Sequence, residues 1–205
     1  MHNPFAFPSW LQANLLAMGI FLITLAPWSH AQMHPADRWE VALEAGYLEK
    51  VRDNTPLDYT IVPTQVAWRS PAMLELWRSE SGARLTVRNR VSVILETYLE
   101  GAEDYYFAFA GAPSLELWSA NRKSAWFFEI GGGAGLTNST DTPGGQGQDF
   151  TFNWFSQLGL RYQFDRKQAL TAAGYFTHHS NLGMTDPNPG IDVLGLNLGL
   201  VWQFD

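Results

Sequence analysis

Period-two alternation of apolar and polar residues, repeated in segment after segment from Trp39 to Phe204, is the property that most limits what this chain can become. In an extended chain residues two apart share a face, so each such segment reads as a strand with one greasy and one polar side. The first sets Trp39, Val41, Leu43, Ala45 and Tyr47 against Glu40, Ala42, Glu44 and Gly46, with parity failing at Leu48-Glu49. The second aligns Thr60, Val62, Thr64, Val66 and Trp68, with Pro63 on the other face. Residues 70–82 are poorly patterned, and 73–77 either extends a strand or caps one end. Clear alternation resumes over 84–99, 105–118, 125–136, 150–164 and 168–177, and a last strand starts at Asp192. The count is eight.

Two closed architectures suit eight such strands: a soluble, lipocalin-like cup with apolar faces inward, or a membrane barrel with them outward. The polar faces carry Glu40, Glu44, Arg88, Arg90, Glu96, Glu116, Glu129 and Arg161, a set fit for a small ion-paired lumen. The apolar faces are large and become aromatic near their ends, as lipid contact with interfacial girdles requires. The expected fold is all-β, an eight-stranded antiparallel transmembrane β-barrel, with the cup as the alternative. Nine Trp and 14% aromatic residues agree with an apolar surrounding. The absence of Cys rules out disulfides and thiolate zinc sites, and a net charge of −7 argues against nucleic acid as partner. Gly131 to Gly135 is not followed by the Gly-Lys-Ser/Thr of a phosphate loop; inward glycines there are expected to serve curvature or close backbone approach.

The apolar run 15–27, followed by Ser29-His30-Ala31, reads as a signal peptide over residues 1–31, with an uncleaved anchor as the alternative. The expected barrel domain is 32–205, in the bacterial outer membrane. With both ends of the barrel domain periplasmic, the long polar loops 137–148 and 180–191 face outside, as long barrel loops usually do.

One strand end concentrates reactive side chains. His178 and Ser180 share the face of Leu170, Ala172, Gly174 and Phe176, and Asp192 heads the next strand's apolar series. Pairing those strands as a hairpin brings the carboxylate to the imidazole. A hydroxyl, a base and an acid are the parts of a nucleophilic triad, with Ser180 as nucleophile, His178 as general base and Asp192 orienting the ring. Asn181 and N–H groups of the following loop are candidate oxyanion donors. Aimed at lipid, such a group suits a lipid ester. The competing reading is that these polar residues mark only the membrane interface. His179 falls on the opposite face and reads as structural, and a metal site at His178, His179 and Asp186 is disfavoured because adjacent strand side chains diverge.

The run His178-His179-Ser180-Asn181 followed by Asn188-Pro189-Gly190-Ile191-Asp192 resembles the terminal signature of the PagL-type lipid A deacylases, with the acidic residue twelve positions after the serine. The resemblance covers about fifteen residues. It implies an outer-membrane barrel of eight strands that removes the 3-O-linked acyl chain from lipid A by a serine esterase mechanism, without cofactor or metal. It assigns His178 as base, Ser180 as nucleophile, Asp192 as acid and Asn181 to the oxyanion. Its implied partners are lipid A, lipopolysaccharide and outer-membrane lipids. The family's usual acid is Glu, so the shorter Asp192 requires a closer backbone. A non-catalytic structural or adhesive barrel is the alternative function.

Overall fold

In a computed structural model the described residues are 33–53 and 57–205. The expected leader and its cleavage after Ala31 lie outside them. A 3-10 turn, Pro35–Asp37, precedes nine strands. These are β1 (Trp39–Lys50), β2 (Thr60–Arg69), β3 (Leu74–Arg78), β4 (Arg84–Glu100), β5 (Tyr105–Trp118), β6 (Ser124–Thr137), β7 (Phe150–Gln163), β8 (Gln168–Ser180) and β9 (Ile191–Phe204). Strands β4 to β9 pair antiparallel in sequence, β9 pairs with β1, and β1 with β2. The sheet closes because β2 pairs with β4 over Arg90 to Glu100, while β3 takes the rest of β4, Arg84 to Val87. β3 therefore prolongs the line of β2, and the two make one of eight staves. Within a bilayer such closure satisfies every ladder group that an open edge would leave bare.

The outward series is exposed and apolar over its whole height. Leu43, Val91, Leu115, Leu158 and Leu198 form its middle, with Tyr47, Tyr105, Phe150 and Trp154 above and Trp39, Trp77, Trp126 and Tyr162 below. That is a lipid-facing belt between two aromatic girdles, and it decides against the cup. The described connecting residues 51–53 and 57–59, with connections 101–104, 138–149 and 181–190, lie at one end; the others and the C-terminus lie at the opposite end.

Inside, four arginines meet four glutamates. Arg69 bridges Glu44 (2.9 Å) and Glu129 (3.0 Å), and Arg90 bridges the same two at 2.9 and 2.8 Å. Arg88 reaches Glu40 at 3.0 Å, and Arg161 pairs with Glu40 and Glu116. All eight are buried. Above this plug the lumen turns apolar, with Leu48, Tyr59, Ile61, Ile94, Phe155 and Tyr175 packed together. That is why parity seemed to fail at Leu48-Glu49: the strand continues, but Leu48 enters this upper cluster and Glu49 emerges at the rim. Pro63, which has no N–H to give, falls where the β1–β2 ladder is interrupted between the Ala45–Thr64 and Leu48–Ile61 pairs, and Gly46 lies beside its ring. At Gly133 a Cβ would fall 1.8 Å from the Phe109 carbonyl oxygen, the close backbone approach expected of the inward glycines.

Candidate active site

His178 on β8 and Asp192 on β9 stand directly opposite in the ladder. Direct cross-strand pairs hold their Cβ atoms about 4.5–5.5 Å apart, so an aspartate is long enough. His178 Nδ1 lies 2.7 Å from Asp192 Oδ1. The second oxygen, Oδ2, is 3.4 Å from Nη1 of Arg52, in the loop after β1. On its other side His178 neighbours Trp154 of β7, ring centroids 6.1 Å apart. The imidazole therefore sits at girdle height, half-buried, with its Nδ1 edge fixed by a carboxylate. An ionised Asp192 only accepts, so Nδ1 carries the proton and Nε2 presents its lone pair.

Ser180 ends β8 on the same face, opposite Phe152. Its hydroxyl is held by the loop that follows. The Leu182 N–H donates to Oγ at 3.0 Å, and the Asn188 amide lies within 3.2–3.3 Å. Asn188 Oδ1 accepts from the Asn181 N–H at 3.0 Å, which orients the amide and points Nδ2 at the serine oxygen. Among the described residues no hydrogen bond joins Ser180 Oγ to His178. Both Ser180 and Asp192 follow the outward parity expected for them, yet both are buried, because Asn188 covers one and Arg52 and His178 flank the other. The side chains take the expected lipid-facing side, and loop residues 52 and 188 account for their burial there.

Asn181 is fully buried and its Nδ2 is committed within the loops, donating to Gln146 O at 2.5 Å and Thr185 O at 2.8 Å. Its Oδ1 accepts from the Gly183 N–H at 2.7 Å. The loop it serves is braced from further away. Glu103, between β4 and β5, is buried and accepts from Ser139 Oγ (2.7 Å), the Gln146 N–H (3.1 Å) and Tyr59 OH (3.0 Å). Burial and the adjacent Glu103 charge push the Tyr59 phenol well above its usual range. Four outer connections are thereby tied to one another through Glu103, Gln146 and Asn181.

His179 points inward, as expected, with Nε2 3.1 Å from Glu96 Oε2 and its ring edge-on to Tyr106 at 4.7 Å. Residues 178 and 179 thus diverge to opposite faces. Sequence reasoning gave no role to Asn188 or Arg52. Asn188 stood in plain view in the Asn-Pro-Gly stretch, whereas nothing local marks Arg52.

The family model described as lipid A 3-O-deacylase (PagL) matches residues 57–201, well over half the chain. The chain belongs to the PagL family. The crystal structure of the outer membrane enzyme PagL is similar to it at 19% identity, covering 78% of this chain and 97% of that one, with a TM-score of 0.56. At that identity the likeness carries the barrel fold alone. The Yersinia pestis outer membrane protein Ail aligns over 80% of this chain at 14% identity and a TM-score of 0.35. No curated protein matches the chain at a significant level. The PagL match spans Asn181, Asn188 and the three triad candidates, and begins after Arg52.

Proposed function

We propose that the protein is a serine esterase that removes the 3-O-linked acyl chain from lipid A in the outer leaflet of the outer membrane. Membership of the lipid A 3-O-deacylase family supports the reaction class. The observation that carries the mechanism is the 2.7 Å contact between His178 Nδ1 and Asp192, two residues along the strand face from Ser180. Turning about χ1, Ser180 passes its Oγ proton to His178 Nε2 as Oγ bonds to the ester carbonyl carbon. Asp192 stabilises the imidazolium so formed. Collapse of the tetrahedral intermediate breaks the bond to the sugar oxygen, which leaves with the proton from His178. Water, deprotonated by the same ring, then releases the fatty acid from Ser180.

The oxyanion role expected of Asn181 falls in this reading to Asn188. Its Nδ2 binds the hydroxyl at rest and is released when Oγ turns to His178, so the donor already points where the carbonyl oxygen arrives. Asn181 then acts as a positioning residue through its contacts with Thr185 and Gln146. The girdle height of His178 suits an ester at the boundary between sugar and acyl chains. The test is mass spectrometry of lipid A incubated with purified protein in detergent. Wild type is expected to release the 3-O acyl chain and Ser180→Ala to release none while keeping the heat-modifiable migration of a folded barrel. A Ser180→Ala barrel that deacylates like wild type would overturn the assignment, and an inactive wild type would favour the structural or adhesive alternative.

A further inference from the structure

The two ends of the barrel differ sharply in charge. Of the Lys and Arg residues among the described ones, only Lys50 and Arg52 lie at the end that carries the candidate site; the rest line the lumen or the opposite end. That end is otherwise acidic, with Asp53, Asp58, Glu100, Asp104, Asp141 and Asp186 in its loops and rim. Lys50 is turned in, its side chain 13% exposed and Nζ donating to Leu57 O at 2.9 Å. Arg52 is the opposite case. Its side chain is 70% exposed and its contact with Asp192 is long, 3.4 Å. The guanidinium end is solvated and the contact long, while the buried Asp192 keeps His178 at 2.7 Å, so Arg52 is placed to exchange partners.

A single exposed cation beside the acid of the site, in an otherwise acidic rim, selects for an anion on whatever docks there. Lipid A is a phosphorylated glucosamine disaccharide, and a guanidinium matches a phosphate monoester with two parallel N–H donors. We propose that Arg52 recognises a phosphate of the glycolipid substrate and so sets its position over Ser180; the inference rests on the deacylase reading above. In this scheme Arg52 swings from Asp192 to the phosphate as substrate binds, while His178 keeps its contact with the carboxylate. The acidic rim contributes specificity by repelling anions placed elsewhere.

The experiment compares wild type, Arg52→Ala and Arg52→Lys on lipid A that retains its phosphates and on enzymatically dephosphorylated lipid A, both in neutral detergent micelles. Wild type is expected to favour the phosphorylated form by about 5- to 20-fold in kcat/KM, chiefly through KM, the range of one exposed charge-assisted contact. Arg52→Ala should lose that preference, so that the ratio of kcat/KM between the two forms falls to about one, and Arg52→Lys should restore part of it. An equal fall in kcat on both substrates would reduce Arg52 to a brace for Asp192 and overturn the proposal, as would no change on either. A third arm adds phosphatidylglycerol to the micelles. If the Arg52→Ala defect appears on dephosphorylated lipid A only there, the anion is a neighbouring headgroup and the assignment to substrate falls. Wild type inactive on both substrates would instead remove the deacylase reading itself, and the proposal with it.

Discussion

At the scale of single residues, two short side chains divide the work that the site needs. Asp192 sits directly across the ladder from His178, so register alone sets their 2.7 Å contact and a glutamate's extra methylene is not required. Asn188 is positioned differently, by a loop that returns its amide to the serine: Oδ1 is anchored on the Asn181 N–H and Nδ2 lies 3.2 Å from Ser180 Oγ, as the proposed oxyanion role requires. Replacing Asn188 with Ala should therefore lower kcat by on the order of 10²–10³ with KM little changed, the loss typical of one oxyanion donor. Asn188→Asp, which keeps the anchoring oxygen and removes the donor, should be at least as poor. Steady-state rates on lipid A decide it, and a normal kcat in both variants would move the oxyanion site to backbone N–H groups, that of Leu182 first.

At the scale of elements, strand positions were legible because lipid outside and a polar plug inside impose opposite chemistry on alternate residues. Strand β5 begins and ends where its alternation does, and β9 begins one residue before the expected Asp192. The stretch 70–82 was not legible: β3 is exposed on both faces, and a bulge between Glu75 and Trp77 breaks its parity against β4. Parity also misled at Leu48, where the lumen changes from ionic to apolar. In the site, the His178, Ser180 and Asp192 juxtaposition followed from strand pairing, but the braces did not, because they join residues with no periodic relation. Tyr59 to Glu103 spans 44 residues and Asn181 to Gln146 spans 35. The Glu103 brace predicts a graded effect. Glu103→Ala strips acceptors from three donors and should lower kcat/KM several-fold or more, approaching the roughly 10²-fold that a displacement of about 1 Å costs. Amide hydrogen exchange in 138–149 and 181–190 should accelerate in parallel. Glu103→Gln, which keeps one acceptor oxygen, should recover most of both. Faster exchange with unaltered kinetics would show that the loops are braced for stability and not for the position of Asn188.

For the whole molecule, the lumen and the outer surface have separate duties. Arg69, Arg88, Arg90 and Arg161 balance Glu40, Glu44, Glu116 and Glu129 charge for charge, and the apolar cluster closes the space above them. Among the described residues the lumen is filled by this plug and cluster, so in the proposed reaction lipid A approaches Ser180 from the bilayer side. The barrel acts as a stiff post that holds a hairpin at the girdle. Stiffness then depends on keeping the ionic set complete. Glu129 takes Arg69 on one oxygen and Arg90 on the other. Truncating it to Ala leaves two buried guanidinium groups with Glu44 as their remaining carboxylate among these contacts, and breaking buried pairs in this way costs about 3–5 kcal/mol. Glu129→Ala should lower the urea midpoint of refolded barrels, followed by heat-modifiable migration, yet leave the specific activity of the folded fraction near that of wild type. If activity per folded molecule fell as steeply as stability, the plug would be coupled to the site, and the division between an inert core and a reactive surface would fail.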